Sequence, residues 1–400
     1  MSNYKLFEVY GIEAEYMIVN DANLKAQTLT DFILRSKNQG EQTNEIENGV
    51  VSWSNELVSH VIELKGTKPL TNLLEGEKAF HQNVLEINHI LKSKNAKLLS
   101  TAMHPWFVPE KEMNLWPYGQ KEIYEQYNKI FNCTGHGWSN LQSVHINLPY
   151  QGEHEFALLH MAIRLVLPLI PRLSASSPLK EGQWSLFPSE RLKIYESNQK
   201  KIPSITAHII PEAVFNFSDY HKLYEKMYQE IDPFDPEKIL QEPWLNSRGA
   251  ILKEDYHCIE IRIMDIQESP IMDFAIISFV VALLKRLVNR PWVSQEKMRN
   301  LNEQLLKSVL YLFNTYDGGV VPNFYSEIFG MKDVTSEQLI QNLFAQVKSD
   351  IPERYHRPLE IILNEGNLST RIKKKFQNGN DILQIYQDLH QKLITNEIYE

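Results

Sequence analysis

The chain has 400 residues, 43% hydrophobic and 23% charged, a balance that excludes wholesale disorder, a collagen-like repeat and a coiled coil. Its 41 Lys and Arg against 50 Asp and Glu leave a net charge of −9, which argues against nucleic acid as the main partner because affinity for phosphate backbones comes from clustered basic side chains. Two cysteines, Cys133 and Cys258, cannot make a disulfide framework or a Cys-based zinc site, and such sparing use fits a reducing compartment.

From the N-terminus, no positive start leads into an apolar run and cleavage site, so a cytoplasmic protein is expected. Alternation of apolar and polar residues predicts half-buried, antiparallel-style strands over residues 7–19, 57–65, 143–148 and 257–267. Residues 71–94 carry Leu73, Phe80, Val84, Ile87 and Leu91 at helical spacing, with Thr71 as the expected cap. The apolar runs 156–175 and 274–284 are read as buried helices: the first is interrupted by His160, Arg164 and Arg172, and the second is too short to span a bilayer, so no membrane is expected as a partner. After Pro291 the spacing is helical throughout, with residues 316–330 expected as an ordered loop. No repeat, low-complexity tract or Pro/Ser-rich linker interrupts the chain, which predicts one compact α+β unit with a helical C-terminal part.

Strand arithmetic then groups the polar residues. Side chains two apart share a face, so GIEAEYMIV sets Glu13 and Glu15 together opposite Ile12, Ala14, Tyr16 and Ile18. Glu63 stands with Lys65 opposite Ile62 and Leu64; His145 and Asn147 stand opposite Val144, Ile146 and Leu148; Glu260 and Arg262 stand opposite Ile259, Ile261 and Ile263. One such pair would be an ordinary wet sheet face. Four strands repeating it with carboxylates, an imidazole and a guanidinium predict a site for Mg²⁺ or Mn²⁺, with the Arg suited to phosphate oxygens and ATP as the natural ligand. Other residues are read as structural: Asp265 falls on the opposite face unless a bulge turns it, His136 sits in a loop between glycines, and Ser174, Ser176 and Ser177 form a turn. Glu56 and His60 are discounted, because a four-residue spacing argues for a helix and this segment reads as strand. No Gly-rich phosphate loop, nucleophile elbow or zincin motif is present.

The phrases GIEAE, VIELKGTKP, VHIN, LSASSP and IEIRIMDIQESP, in that order from Gly11 to Pro270, resemble the glutamate-cysteine ligases and related carboxylate-amine ligases of the glutamine synthetase superfamily. The resemblance implies a curved, mostly antiparallel sheet forming an active-site funnel covered by helices, with residues 1–290 as the ATP-dependent ligase core; residues 291–400, which carry no motif of the family, are expected from their spacing as a helical part packed on it. It implies two or three Mg²⁺ (or Mn²⁺) ions held by Glu13, Glu15, Glu63, His145 and Glu260, ATP phosphate held by the catalytic Arg262, a nucleotide contact from Asn147, and a substrate-carboxylate contact from Arg191. Asn147 stands where many relatives carry a second His.

The expected reaction is amide formation through an acyl phosphate, with glutamate and cysteine as the leading pair. The expected partners are small molecules (amino acid, amine and ATP), and association into a homo-oligomer is left open. Two other readings fit the same residues: a metal-dependent hydrolase that uses the Glu/His cluster without ATP, and a catalytically silent binding protein of the same fold. Mutual repulsion of the carboxylates further predicts that Glu13→Gln or Glu260→Gln leaves stability similar or higher.

Overall fold

A computed structural model describes residues 4–400. Its centre is an eight-stranded, wholly antiparallel sheet. The strands are β1 (Gly11–Asn20), β2 (Glu45–Asn48), β3 (Val51–Asn55), β4 (Val61–Gly66), β5 (Ala96–Leu99), β6 (Ser143–Pro149), β9 (Ala250–Lys253) and β10 (Cys258–Asp265); β7 (Leu179–Lys180) and β8 (Gln183–Trp184) form a separate small hairpin. The order across the sheet is β2-β3-β4-β1-β6-β10-β9. All four expected strands are present; β6 starts at the expected Ser143, and the other three start later than their apolar patterns suggest. The expectation missed β2, β3, β5 and β9.

One face of the sheet is the core. Ile12, Ala14, Ile62, Leu64, Val144, Ile146, Leu148, Ile259 and Ile261 are all buried there, and each large aliphatic removed from water contributes about 1.5–3 kcal/mol. Helices Leu73–Leu91, Gly152–Val166 and Pro270–Asn289 supply its cover. The first is capped by Asn72, whose side chain accepts the Leu74 N–H at 2.9 Å, and not by Thr71, because the helix begins one residue later than its periodicity implied. The third starts at Pro270, where a missing N–H costs nothing, and is buried on nearly every side, as its unbroken apolar run requires. The stretch Gly152–Ser174 is long and apolar enough to cross a membrane, but 89% of its apolar window is buried inside the protein. Arg164 at its centre is fully buried and donates to the carbonyls of Pro211 and Leu301, both at 2.8 Å.

The other face of β1 changes character along its length, and this positions the site. Gly11 and Glu13 line a large cavity and Glu15 a small adjoining one, whereas Met17 and Val19, which continue the same alternation, are buried against Leu368, Ile372, Ile385, Tyr386 and Leu389 of the helices Leu368–Gln377 and Ile382–Thr395. Partner strands switch at the same point: β6 pairs with Gly11–Ala14 and β5 takes over from Met17. The C-terminal helices therefore close one end of the polar face.

Beyond Pro291 the described residues form helices and one isolated bridge, Val320 to Thr335. The expected loop at 316–330 contains a one-turn helix, Asn323–Ser326, followed by a 3₁₀ turn. Its glycine pair is conformational: Gly318 and Gly319 have φ of 64° and 58°, and a Cβ on Gly318 would meet Ser336 Oγ at 2.0 Å.

Candidate metal and nucleotide site

Antiparallel register brings the acidic residues together. Glu13 stands opposite His145 on one side and Lys65 on the other, Glu15 opposite Glu63, Glu63 opposite Ser54, and Glu260 opposite Asn147. Directly opposite residues have Cβ atoms about 4.5–5.5 Å apart and point to the same face. Four adjacent strands, β4, β1, β6 and β10, thus bring all five expected metal ligands to one face, the floor of the site, where Glu13 and Glu63 line a cavity of about 800 Å³.

The floor has two electrostatically different halves. In the first, Glu13, His145 and Glu260 offer ligand atoms that all lie within 4.8 Å of one another. Ligands of an octahedral ion at 2.0–2.1 Å lie about 3–4 Å apart, so this donor set of two carboxylates and an imidazole fits a hard divalent cation. His145 Nδ1 lies 3.1 Å from Glu13 Oε2, and Asn147 Nδ2 donates to Glu13 Oε1 at 3.0 Å. Lys253, the last residue of β9, reaches 3.5 Å from Glu13 Oε1 and ion-pairs with Glu260 Oε2, while Arg262 Nε lies 3.0 Å from Glu260 Oε1. Burial alone would raise the Glu13 carboxyl, but the His145 hydrogen bond and the charges of Lys253 and Arg262 outweigh it and hold Glu13 well below the ordinary carboxylate range. Burial likewise opposes charge on His145, and Glu13, Glu260 and Glu15 overcome it and raise its pKa.

In the second half cations are scarcer. Glu15 Oε2 accepts the Ser143 N–H at 2.8 Å and the Ser143 hydroxyl at 2.9 Å, and Glu63 Oε2 accepts the Ser54 hydroxyl at 2.7 Å. Burial, reinforced by the charge of Glu13, pushes Glu63 up to about 7. Glu56 is pushed well above its usual value by burial and by Glu63, Glu15 and Glu13. A stability consequence follows. Folded Glu63 retains a proton between pH 4.5 and 7 where the unfolded chain has released it, so the folded state loses stability as pH rises through that window. Glu63→Gln, measured by thermal melts in chelator, is expected to stabilise the protein by roughly 3 kcal/mol at pH 8, about 3 °C in a chain of this size, and by almost nothing at pH 4.5. An equal gain at both pH values would contradict this assignment of charge.

Glu56 corrects the sequence reading. It lines both the large cavity and an adjoining space of about 40 Å³ that also touches Glu15. The segment is indeed not helical, so the discounted Glu56–His60 pair does not form; Glu56 sits just after β3, and His60 is buried elsewhere, 2.7 Å from the carbonyl of Ser139. Lys65, Ser54 and Lys253 were likewise not singled out for the site. The hairpin that carries Ser54 turns at Gly49-Val50, between the paired Asn48 and Val51, and a Gly at the first turn position, here with φ of 73°, is a sequence signal for such a turn.

Asp265 also differs from the straight-strand expectation. Register slips between Ile261 and Met264, a bulge that sets Asp265 opposite Ser143 and so turns it to the polar side. There it is buried and accepts from the Ser176 N–H (3.0 Å), the hydroxyls of Ser177 (2.8 Å) and Ser189 (3.1 Å), and Arg191 Nη1 (3.4 Å). Arg191 Nη2 donates to the carbonyl of Arg262 at 3.1 Å, leaving Nε without a partner. The LSASSP segment is thus the cradle of Asp265. Arg262 Nη1 donates to the Asn246 carbonyl at 3.1 Å, which with Glu260 fixes the guanidinium over the floor. Cys258 lines the cavity beside Asn147, its Sγ 3.5 Å from Asn147 Oδ1. His136 begins a short helical turn, with Nε2 2.8 Å from Glu181.

Comparison with known proteins gives three findings. A family model described as glutamate-cysteine ligase family 2 matches residues 9–384. An uncharacterized protein of Archaeoglobus fulgidus is 30% identical over 391 residues, covering 97% of this chain and 99% of its own. Among solved structures, the glutamate–cysteine ligase of Francisella tularensis in complex with AMP superposes with a TM-score of 0.66 at 13% identity, over 99% of this chain and 91% of that one. A bifunctional glutathione synthetase of Pasteurella multocida gives 0.54 at 12% identity, over 98% of this chain and 52% of the other. At these identities the two structures share the fold.

Proposed function

The chain belongs to glutamate-cysteine ligase family 2, which makes it a carboxylate-amine ligase, and we propose that it uses ATP and Mg²⁺ to join the side-chain carboxylate of glutamate, or of a similar amino acid, to the amino group of cysteine or a similar amine. The observation that carries the reading is the convergence of Glu13, His145 and Glu260 within 4.8 Å, with Arg262 3.0 Å from Glu260, where Glu13 and Lys253 open onto a cavity of about 800 Å³. Glu13, His145 and Glu260 would hold one divalent ion, and Glu15, Glu63 and Glu56 a second. Such ions supply neutralisation of the β- and γ-phosphates.

The chain's own residues do the rest by positioning. A substrate carboxylate oxygen attacks the γ-phosphorus, the bond to the β-phosphate oxygen breaks, and ADP leaves. Arg262, held by Glu260 and the Asn246 carbonyl, lies ready to take up charge on the transferring phosphoryl group. The amine then attacks the acyl carbon, loses a proton, and expels inorganic phosphate. In this reading Arg191, buried and paired with Asp265, acts by steadying Arg262 through its backbone carbonyl. Asn147 acts on the nucleotide through Glu13, which it orients.

The test is product analysis over a panel of amino acids, with and without amines, using substrate carboxylate labelled with ¹⁸O. One label should appear in inorganic phosphate, released with ADP, as amide forms. Label in AMP with pyrophosphate would establish adenylation instead. Metal-dependent hydrolysis without ADP would favour a hydrolase, and no turnover with any pair would favour a silent binding protein.

A further inference from the structure

The position of Lys253 has a consequence for how the site loads. Its Nζ is paired to Glu260 Oε2 and lies 3.5 Å from Glu13 Oε1, so one ammonium bridges the two carboxylates that the first ion needs. Lys253 also lines the 800 Å³ cavity, with about a quarter of its side chain in solvent, so the same stem has open space to swing into. Its backbone is fixed by pairing with Cys258 at the outer edge of the sheet, which leaves the side chain as the moving part.

We propose that Lys253 is a built-in counter-cation that a divalent ion must displace, and that the displaced ammonium becomes a ligand for the nucleotide's phosphates, coupling metal and ATP binding. This rests on the metal and ATP reading above. The physics is direct. An ion bound to both carboxylates would have to stand close to the ammonium that now bridges them, and like charges so near one another in a partly buried site repel strongly. Metal alone therefore binds against the cost of freeing Lys253. When triphosphate is present the freed ammonium gains phosphate oxygens, and part of that cost is returned. Arg262 does not behave this way, because its guanidinium is also tied to the Asn246 carbonyl and stays put. Lys65 does not either, since its nearest partner is Glu45 at 2.8 Å, on the rim.

The test measures binding rather than turnover. Mn²⁺ affinity is read by electron paramagnetic resonance in the full chain, with and without the β,γ-methylene analogue of ATP, for wild type, Lys253→Met and Lys253→Gln. The nucleotide-free variants should bind Mn²⁺ about tenfold tighter than wild type, bind the analogue more weakly, and lose most of the mutual enhancement, whose ordinary range is about 5–150-fold. Lys253→Arg should keep the competition. Two neutral variants guard against one failing to fold. Mn²⁺ affinity unchanged or weaker in both neutral variants overturns the inference while leaving the metal reading intact. If wild type and variants alike bind no Mn²⁺, the metal reading itself has failed.

Discussion

Glu260→Gln is expected to abolish ligation, by about 10³-fold or more in ADP release, and at the same time to lower the melting temperature. The activity loss follows because Glu260 contributes a ligand atom to the first metal position and is the partner that orients Arg262. The stability loss reverses what repulsion among four carboxylates would suggest. Glu260 is 1% exposed and carries a cation on each oxygen, Lys253 on one and Arg262 on the other, so neutralising it strands two partly buried charges. Breaking a buried pair costs about 3–5 kcal/mol, and less here because both cations keep roughly a quarter of their side chains in water. Glu13→Gln should behave alike, since its carboxyl is held ionised by the same neighbours. The contrast with Glu63→Gln, stabilising at pH 8, separates the two halves of the floor by calorimetry. Near-wild-type ADP release from Glu260→Gln would remove it from the site, and a higher melting temperature would refute the charge pairing.

Arg262→Met is the second large effect, an expected loss of about 10³–10⁵-fold in kcat, the range for an arginine that takes up charge in phosphoryl transfer. Most of the loss should fall on kcat rather than on the KM for ATP, because the charge it opposes grows in the transition state. Arg262→Lys should recover only part. A lysine keeps the charge but cannot hold Glu260 with one nitrogen and the Asn246 carbonyl with another in a fixed plane. Full recovery by lysine would show that only charge matters at this position. Comparable KM and kcat effects would point to ground-state binding of nucleotide.

The polar face itself was legible because a strand has a period of two. Once Ile12, Ala14, Ile62, Leu64, Val144, Ile146, Ile259 and Ile261 are assigned to the core, Glu13, Glu15, Glu63, His145 and Glu260 have only one face left. Periodicity also marked the covering helix Leu73–Leu91, whose apolar stripe packs on the sheet, and unbroken apolar runs marked the other two. Where periodicity breaks, sequence failed. The bulge after Ile261 adds a residue to one strand and reverses the face of Asp265, and a one-residue slip leaves no mark in an apolar pattern as smooth as IEIRIMD. Glu56 lies past the end of β3 in irregular backbone, so no period assigns it to a face.

Pairing partners are a tertiary matter altogether. That Glu13 stands opposite both His145 and Lys65, and that Lys253 from the far edge reaches Glu13 and Glu260, depends on which strands become neighbours across separations of up to 240 residues. So does the division of one acidic floor into a half held ionised by Lys253, Arg262 and His145 and a half where Glu63 and Glu56 are crowded toward neutrality. The sequence by itself determined which side chains share the polar face, because alternation is a local property of the strand. Only the tertiary structure decided which carboxylate meets which cation, because Coulomb energy depends on distances that strand order and register fix.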